Sequence, residues 1–320
     1  MGRLLKTLIR LSNRPMLVPF YHMVSDDENT FADYLYTPRK IKTFKEDLKV
    51  LLKHYRVVSL EDFIKLSRQK GKHKKPFVHL TFDDGLANFY DVVAPILHKE
   101  KIPATVFVNT DFIDNKRLFY RYKASLLIQF YQRATDDEKQ VFHRFLNTKS
   151  NVKEKLLAIN FHQEKELDQL AENAGYSFSS FLEKEQPYLT SHQIKELINK
   201  GFTIGAHSKN HPLFSNLTLD EQVVQAKESI AWLQENFQVD YKAFSFPFTD
   251  LGVTKDFFFK MESEFDVSFG TSGIKKDVQP TNYQRISFEL AQTNLGLFLL
   301  KQYTKYFFKI PFNKHIMPRV

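Results

Sequence analysis

The chain has 320 residues, 42% of them hydrophobic and 15% aromatic, with only 10 Gly and 12 Pro, which suits one large α/β domain with an insertion or two medium domains. Cysteine is absent, which excludes disulfides, thiolate metal ligands and cysteine nucleophiles, so His, Asp and Glu must bind any metal. The net charge of +9 favours an acidic membrane or glycan partner over nucleic acid, since no nucleic-acid-binding motif is present.

The N-terminal segment, residues 1–16, is basic and partly apolar, but Lys6 and Arg10 interrupt its apolar residues. It lacks the apolar core and the cleavage site of a signal peptide, and no segment is long and apolar enough to span a bilayer. We therefore expect a protein that is cytoplasmic or peripheral to the inner face of the membrane. A short amphipathic contact with the membrane surface is compatible with this segment.

The first third of the chain predicts alternating strands and helices. The expected elements are a strand running into a loop at 17–27, a helix at 38–55, a strand at 56–60, a helix at 61–66, a strand at 77–82, a helix at 88–100 and a strand at 104–109. The last three of these form the strand–turn–helix–strand pattern that is typical of a parallel βαβ unit.

The sequence changes character at residue 111. Residues 111–185 are charged, helical in pattern and poor in strand signals, which indicates a helical insertion. The α/β pattern then resumes with a helix at 190–200, a strand at 202–207, a helix at 219–236 and strands at 242–248, 267–269 and 285–288. Polar motif residues follow several strands, so we expect a barrel or an open parallel sheet whose loops build the active site.

Two of these strand ends carry residues that suggest a catalytic metal. Asp83 and Asp84 follow one apolar strand, and His207 and His211 follow another. Each pair is weak evidence alone, because turns often use Asp-Asp-Gly and paired histidines are often surface residues. A catalytic zinc takes about three ligands from His and carboxylate side chains and leaves a position for water. Asp84 with the two histidines satisfies that requirement.

The motifs TFDDG at 81–85 and HSKNH at 207–211 resemble the first two motifs of the polysaccharide deacetylase family, the NodB-homology or carbohydrate esterase 4 group. The resemblance implies an α/β fold, a deformed (β/α) barrel formed by residues 1–110 and 186–290. It leaves outside the barrel the helical insertion at 111–185 and a basic aromatic tail at 291–320.

The same resemblance implies roles for the four motif residues. Asp83 would be the catalytic base, and Asp84, His207 and His211 would bind a divalent metal. Zinc is the expected metal. Cobalt and nickel are alternatives, because affinity and cellular supply decide which of these ions such a ligand set binds.

The third motif departs from the family pattern. The family carries an Arg shortly before a Pro and an aromatic residue, whereas the segment SFPF at 245–248 has Ser245 at the Arg position. Phe248 fits the aromatic position, and its backbone N–H is expected to bind the oxyanion, since this requires no particular side chain. Arg285 is a candidate for the missing positive charge.

The general acid is predicted from the start of the chain, since no late His matches the family. The segment FYHMVSD at 20–26 resembles the YH-containing segment ahead of the aspartate motif in the branch that deacetylates poly-N-acetylglucosamine. His22 is therefore the candidate general acid. The alternative is that His22 is only a polar residue at a strand end.

These features imply a metal-dependent deacetylase that hydrolyses the acetyl group of N-acetylated sugars in a polysaccharide or glycolipid. The expected partner is an acetylated glycan. The alternative is a catalytically inactive protein of the same fold that binds glycan or membrane during assembly of cell-surface polysaccharide. A serine hydrolase is disfavoured because the sequence has no G-x-S-x-G motif.

Overall fold

The computed structural model describes residues 2–28, 30–69, 73, 75–291 and 294–319. Met1 of the N-terminal segment and residues 292–293 and 320 of the expected tail lie outside these described residues.

The described chain contains two compact units. The first comprises Met1–Asp26, Pro38–Ile113 and Tyr188–Val320, and the second comprises Asp27–Thr37 and Asp114–Pro187. The α-helices are α1 (Gly2–Leu11), α2 (Ile41–His54), α3 (Leu60–Arg68), α4 (Ala94–Lys99), α5 (Tyr120–Arg133), α6 (Asp136–Phe145), α7 (Val152–Ala158), α8 (Glu164–Asn173), α9 (Phe178–Glu185), α10 (Ser191–Asn199), α11 (Leu219–Phe237), α12 (Lys255–Lys260) and α13 (Leu295–Lys309). The strands are β1 (Met16–Leu17), β2 (Pro19–Tyr21), β3 (Arg56–Val57), β4 (Phe77–Val78), β5 (Leu80–Phe82), β6 (Ala104–Val108), β7 (Thr203–Ala206), β8 (Ala243–Ser245), β9 (Val267–Gly270), β10 (Lys276–Asp277), β11 (Asn282–Gln284), β12 (Ile286–Ser287) and β13 (Ile316–Met317).

The first unit is built on a parallel sheet of eight strands in the order β11-β9-β8-β7-β6-β5-β2-β12. Only Arg285 separates β11 from β12, so these two strands are parts of one extended segment. Asn282 of this segment pairs with β9 and Ile286 pairs with β2, at opposite ends of the sheet. The sheet therefore curves into a nearly closed barrel, and the predicted deformed (β/α) barrel is confirmed. The carboxyl ends of its parallel strands share one rim.

The predicted strand at 77–82 is divided between two sheets. His79 separates β4, which pairs with β1 and β3, from β5, which pairs within the barrel. The His79 ring is buried, with Nδ1 2.9 Å from the Val58 carbonyl oxygen and Nε2 2.8 Å from Thr105 Oγ1. Burial lowers the pKa of His79 to about 4, so a neutral imidazole lies between the three-stranded sheet and the barrel.

Capping residues define the starts of α10 and α11, the helices before and after β7. Thr190 Oγ1 accepts the N–H of Gln193 at the start of α10, and the Gln193 side chain accepts the N–H of Thr190. Thr218 and Glu221 form the same capping box at the start of α11. Each box satisfies N–H groups that a helix leaves unpaired, and such a cap is worth about 1 kcal/mol.

The second unit contains α5 to α9. Its interior holds the Lys123 ammonium, whose Nζ lies 2.7 Å from a Glu164 oxygen and 2.8 Å from an Asp168 oxygen. Arg117 adds a second contact to Glu164 at 2.6 Å. Buried charges require such partners because desolvation is costly, and this group links α5 with α8.

Both ends of the described chain belong to the first unit. Helix α1 packs against α13, and β13 pairs with β10. Leu5 and Ile9 of α1 lie in the same buried core as Leu299 and Tyr303 of α13. Among the described helices, none is both long and apolar enough to cross a membrane.

Candidate active site

The predicted site residues lie where neighbouring barrel strands end. His22 follows β2, Asp83 and Asp84 follow β5, and His207 follows β7. His211 lies four residues further along the same loop as His207, and both rings and both carboxylates are buried. The common rim of a parallel barrel therefore brings together residues that are far apart in the sequence.

Asp84, His207 and His211 form a candidate metal centre. Their ligand atoms all lie within 4.8 Å of one another. Asp84 Oδ1 is 3.2 Å from His211 Nε2 and 3.6 Å from His207 Nε2. One carboxylate oxygen and two imidazole nitrogens are the donor types that a catalytic divalent ion such as Zn²⁺ takes, so these residues fit such an ion.

The His207 ring is held in the form that binds metals. Its Nδ1 lies 2.8 Å from the Ser245 carbonyl oxygen, which only accepts hydrogen bonds, so Nδ1 carries the hydrogen and Nε2 faces Asp84. Burial lowers the pKa of His207 to about 4, which leaves the imidazole neutral at neutral pH. The side-chain amide of Asn109 donates to the His207 carbonyl oxygen and holds the strand end in place.

Four non-glycine residues at this site have a left-handed backbone conformation. Asp84, Ser208, His211 and Phe248 have φ angles of 70°, 68°, 62° and 56°. Non-glycine residues adopt this left-handed region at a cost of about 1–3 kcal/mol each, and such strain is typical of functional sites. Gly85 has φ of 63°, and a Cβ there would lie 2.8 Å from a side-chain atom of β6, so glycine is required on both counts.

Arg285 supplies the positive charge that Ser245 cannot. The fully buried guanidinium donates from Nη1 to Asp83 Oδ1 and from Nη2 to Asp83 Oδ2, both at 2.7 Å. Nη2 also donates to Ser245 Oγ at 2.6 Å. Burial raises the pKa of Asp83, but Arg285 and His207 outweigh that effect and hold this pKa below its usual value. Arg285, the sequence-based candidate for the missing positive charge, thus lies in direct contact with Asp83.

His22 is paired with Glu289, a residue that sequence reasoning missed. His22 Nδ1 lies 2.6 Å from Glu289 Oε2, and Glu289 Oε1 accepts the backbone N–H groups of His22 and Met23 at 2.7 and 3.1 Å. Burial lowers the pKa of His22, but Glu289, Asp84 and Asp83 raise it to about 9. The ring is therefore an imidazolium at neutral pH. No local motif marks Glu289, and its position two residues after β12 was the only signal.

Phe248 lies beside the candidate metal centre. Its ring packs edge-on against the His211 ring, with 4.6 Å between ring centroids. Its carbonyl oxygen accepts a hydrogen bond from Thr271 Oγ1 at 3.0 Å. Both contacts fix the loop that follows β8, which is the loop of the incomplete third motif.

A buried polar network anchors the same loop to the end of the chain. The Arg319 guanidinium contacts the carboxylates of Asp250 and Asp277, and all three side chains are buried. Asn282 Nδ2 donates to both carboxylates at 2.9 Å, and Gln284 Nε2 also donates to both. Sequence reasoning did not connect Arg319 with the site, because 69 residues separate it from Asp250.

Comparison with known sequences identifies relatives of one kind. The family model described as polysaccharide deacetylase matches residues 70–258. A poly-β-1,6-N-acetyl-D-glucosamine N-deacetylase of Staphylococcus epidermidis is 36% identical over 103 residues, which cover 29% of this chain and 35% of the relative. A protein of the same description from Staphylococcus aureus is 32% identical over 127 residues, which cover 33% of this chain and 43% of the relative. Each match spans less than half of the relative's length.

Solved structures share the fold over nearly the whole chain. The Streptococcus pyogenes deacetylase PplD in complex with acetate matches with a TM-score of 0.57 and 18% identity, covering 90% of this chain and 97% of that one. IcaB from Ammonifex degensii matches with a TM-score of 0.55 and 15% identity, covering 89% and 97%. At such identities the likeness shows a common fold.

The Arg319 network yields a stability prediction. Arg319→Met leaves Asp250 and Asp277 buried without their counter-charge, so we expect the free energy of unfolding to fall by about 3–5 kcal/mol. Urea unfolding followed by circular dichroism measures this change. Arg56→Met, on an exposed side chain, is the control and should stay within about 0.5 kcal/mol of wild type. Equal stability of the two variants would contradict the anchoring role of Arg319.

Proposed function

The chain belongs to the polysaccharide deacetylase family, and from this we propose that it is a metal-dependent deacetylase that removes the acetyl group from N-acetylated sugars. The observation that carries the proposal is the buried Asp84–His207–His211 group beside Asp83, a carboxylate held by Arg285. The relatives described as poly-β-1,6-N-acetyl-D-glucosamine N-deacetylases support poly-N-acetylglucosamine or a related glycan as the substrate.

The proposal assigns Asp84, His207 and His211 as the metal ligands and zinc as the metal, with cobalt or nickel as alternatives. A divalent ion held by these residues supplies Lewis acidity to the acetamide carbonyl and to a water molecule. The neutral form of His207 and the ionised form of Asp84 support this assignment. Burial raises the pKa of Asp84, but His211, His22 and His207 outweigh that effect and hold this pKa well below its usual value.

Asp83 acts as the general base in the proposed mechanism. Arg285 keeps the carboxylate ionised and fixes both of its oxygens, so Asp83 takes a proton from the water that attacks the acetamide carbon. The backbone N–H of Phe248, on the loop that packs against His211, donates to the oxyanion that forms.

His22 acts as the general acid. It is protonated at neutral pH because Glu289 stabilises the imidazolium, and it transfers this proton to the sugar nitrogen as the carbon–nitrogen bond breaks. The products are the free amine and acetic acid, which ionises to acetate by releasing its proton to solvent. Asp83 releases to solvent the proton that it took from water, and His22 regains a proton from solvent, so both residues return to their starting forms. The water thus contributes its hydroxyl to the acyl carbon, and no covalent enzyme intermediate forms.

The catalytic barrel of this proposal consists of residues 1–110 and 186–290. The 111–185 insertion and the 291–320 tail are assigned to substrate selection or to location of the protein. The alternative is an inactive protein of the same fold that binds glycan or membrane, and its support was the missing Arg of the third motif, the long insertion and the basic aromatic tail. The contact of Arg285 with Asp83 speaks against the first of these three arguments.

The role of Asp83 is tested by Asp83→Asn, which preserves shape but removes the base. We expect acetate release from chitooligosaccharides and short poly-β-1,6-N-acetylglucosamine, with added Zn²⁺, to fall by about 100-fold or more. Zinc binding measured by calorimetry should persist, because Asp83 is not an assigned ligand. Asp91→Asn, on an exposed carboxylate, is the control and should retain full activity. Metal-dependent release by Asp83→Asn at the wild-type rate would contradict the assignment.

The His22–Glu289 pair predicts the alkaline side of the pH profile. The active form of His22 is protonated, and its pKa is raised to about 9, so activity should be lost as the pH rises through about 9. Glu289→Gln removes the carboxylate that raises this pKa, so we expect the alkaline limb to move down by about one to two pH units. The pH dependence of kcat/KM measures this shift.

The control for this shift is Glu235→Gln, on an exposed side chain of α11, which should keep the wild-type profile. An alkaline limb that stays in place in Glu289→Gln would exclude His22 as the titrating acid.

A further inference from the structure

Helices α1 and α13, from opposite ends of the chain, form a surface that the proposed chemistry does not use. They pack against each other, and their inward faces, with Leu5 on α1 and Leu299 on α13, join one buried core. Their outward faces therefore lie next to each other on the outside of the first unit. We refer to the exposed side chains of residues 2–11 and 295–312 as the α1–α13 surface.

This surface exposes large apolar side chains. Leu4 and Leu11 of α1 are 54% and 66% exposed, and they lie two helical turns apart on the same side of the helix. Phe308 near the end of α13 is 73% exposed, and Phe312 in the turn that follows is 71% exposed. Single exposed apolar residues are ordinary, but a group of them on two packed helices is typical of an interaction site.

The same surface carries only positive charges. Lys6 and Arg10 of α1 and Lys301 and Lys305 of α13 are exposed, and residues 1–14 and 294–320 contain no Asp or Glu. Burial together with neighbouring lysines, Lys305 among them, lowers the pKa of Lys309. These charges raise the electrostatic potential of the surface and favour an anionic partner.

The combination of positive charge and exposed apolar side chains indicates which class of anionic partner fits this surface. A soluble acidic polymer would pair with the lysines and arginines but would gain little from Leu11, Phe308 and Phe312. A bilayer with anionic lipids uses both features, since apolar side chains enter the boundary between headgroups and acyl chains while basic side chains meet the phosphates. Lys314 Nζ lies 6.0 Å from the centre of the Phe312 ring, so a basic group and an exposed apolar ring are neighbours here.

We propose that the α1–α13 surface docks the protein onto the surface of an anionic lipid bilayer. The docking is peripheral, with the two helices lying along the interface. It uses residues outside the candidate active site, so it stands or fails independently of the deacetylase proposal.

Vesicle flotation of the full chain tests this proposal. We expect flotation with vesicles of equimolar phosphatidylcholine and phosphatidylglycerol, none with pure phosphatidylcholine, and a weaker association at high salt. The double variant Lys301→Gln/Lys305→Gln should bind about tenfold or more weakly, because each basic residue near an anionic surface contributes measurably. Phe308→Ser should also weaken binding by about tenfold, because it removes an inserted ring.

Matched controls come from other exposed positions of the same unit. Lys195→Gln/Lys255→Gln removes the same charge from α10 and α12, and Phe259→Ser removes a ring that is 79% exposed on α12. Both controls should float as wild type does. Acetate release from a soluble oligosaccharide should be the same in all variants, which separates docking from catalysis.

Three results would overturn the proposal. The first is the absence of flotation of the wild-type chain with the anionic vesicles. The second is an equal loss of flotation in the control variants. The third is full binding by Phe308→Ser when the lysine variant has lost it, since attraction by charge alone is what an acidic polymer would show.

Discussion

The ion pair between Arg285 and Asp83 is the interaction on which both the barrel and the proposed site depend. Arg285 lies between β11 and β12, the segment that joins the two ends of the sheet, and its fully buried side chain crosses to β5 and β8. There it contacts Thr81, Asp83 and Ser245. A buried guanidinium requires a partner of opposite charge, and loss of either member of such a pair costs about 3–5 kcal/mol. Closure of the barrel and placement of Asp83, the proposed base, therefore depend on the same contact.

The Arg285–Asp83 pair also gives the two adjacent carboxylates, Asp83 and Asp84, different partners. Asp83 is bound through both oxygens by Arg285, whereas Asp84 faces His207 and His211. Asp84 also has a left-handed backbone conformation, whose strain is typical of functional sites. The proposed acid, His22, is tuned separately by Glu289. The proposed acid is therefore protonated while the proposed base and the carboxylate of the proposed ligand set are ionised, as hydrolysis of an amide requires.

The sequence predicted the features that depend on local patterns and on motifs. Strand and helix periodicity indicated a barrel or an open parallel sheet, and the family resemblance favoured the barrel. The motifs around Asp84 and His207 indicated which strand ends carry the candidate metal centre. The contacts of Arg285 and Glu289 could not be derived in this way, because 202 and 267 residues separate these two from their partners. Only the register of the closing segment brings them to the rim. The division of the predicted 77–82 strand at His79 was missed for a related reason, since it depends on which strands pair with β4 and which pair with β5.

The pH dependence of kcat/KM in Arg285 variants tests most directly whether Arg285 replaces the missing Arg of the third motif. Asp83 must be ionised to act, so activity falls as the pH drops through its pKa, which Arg285 lowers. Arg285→Gln should therefore move the acid limb to higher pH, and Arg285→Lys, which keeps the charge but not the two parallel hydrogen bonds, should move it less. An acid limb at the wild-type position in both variants would contradict the account.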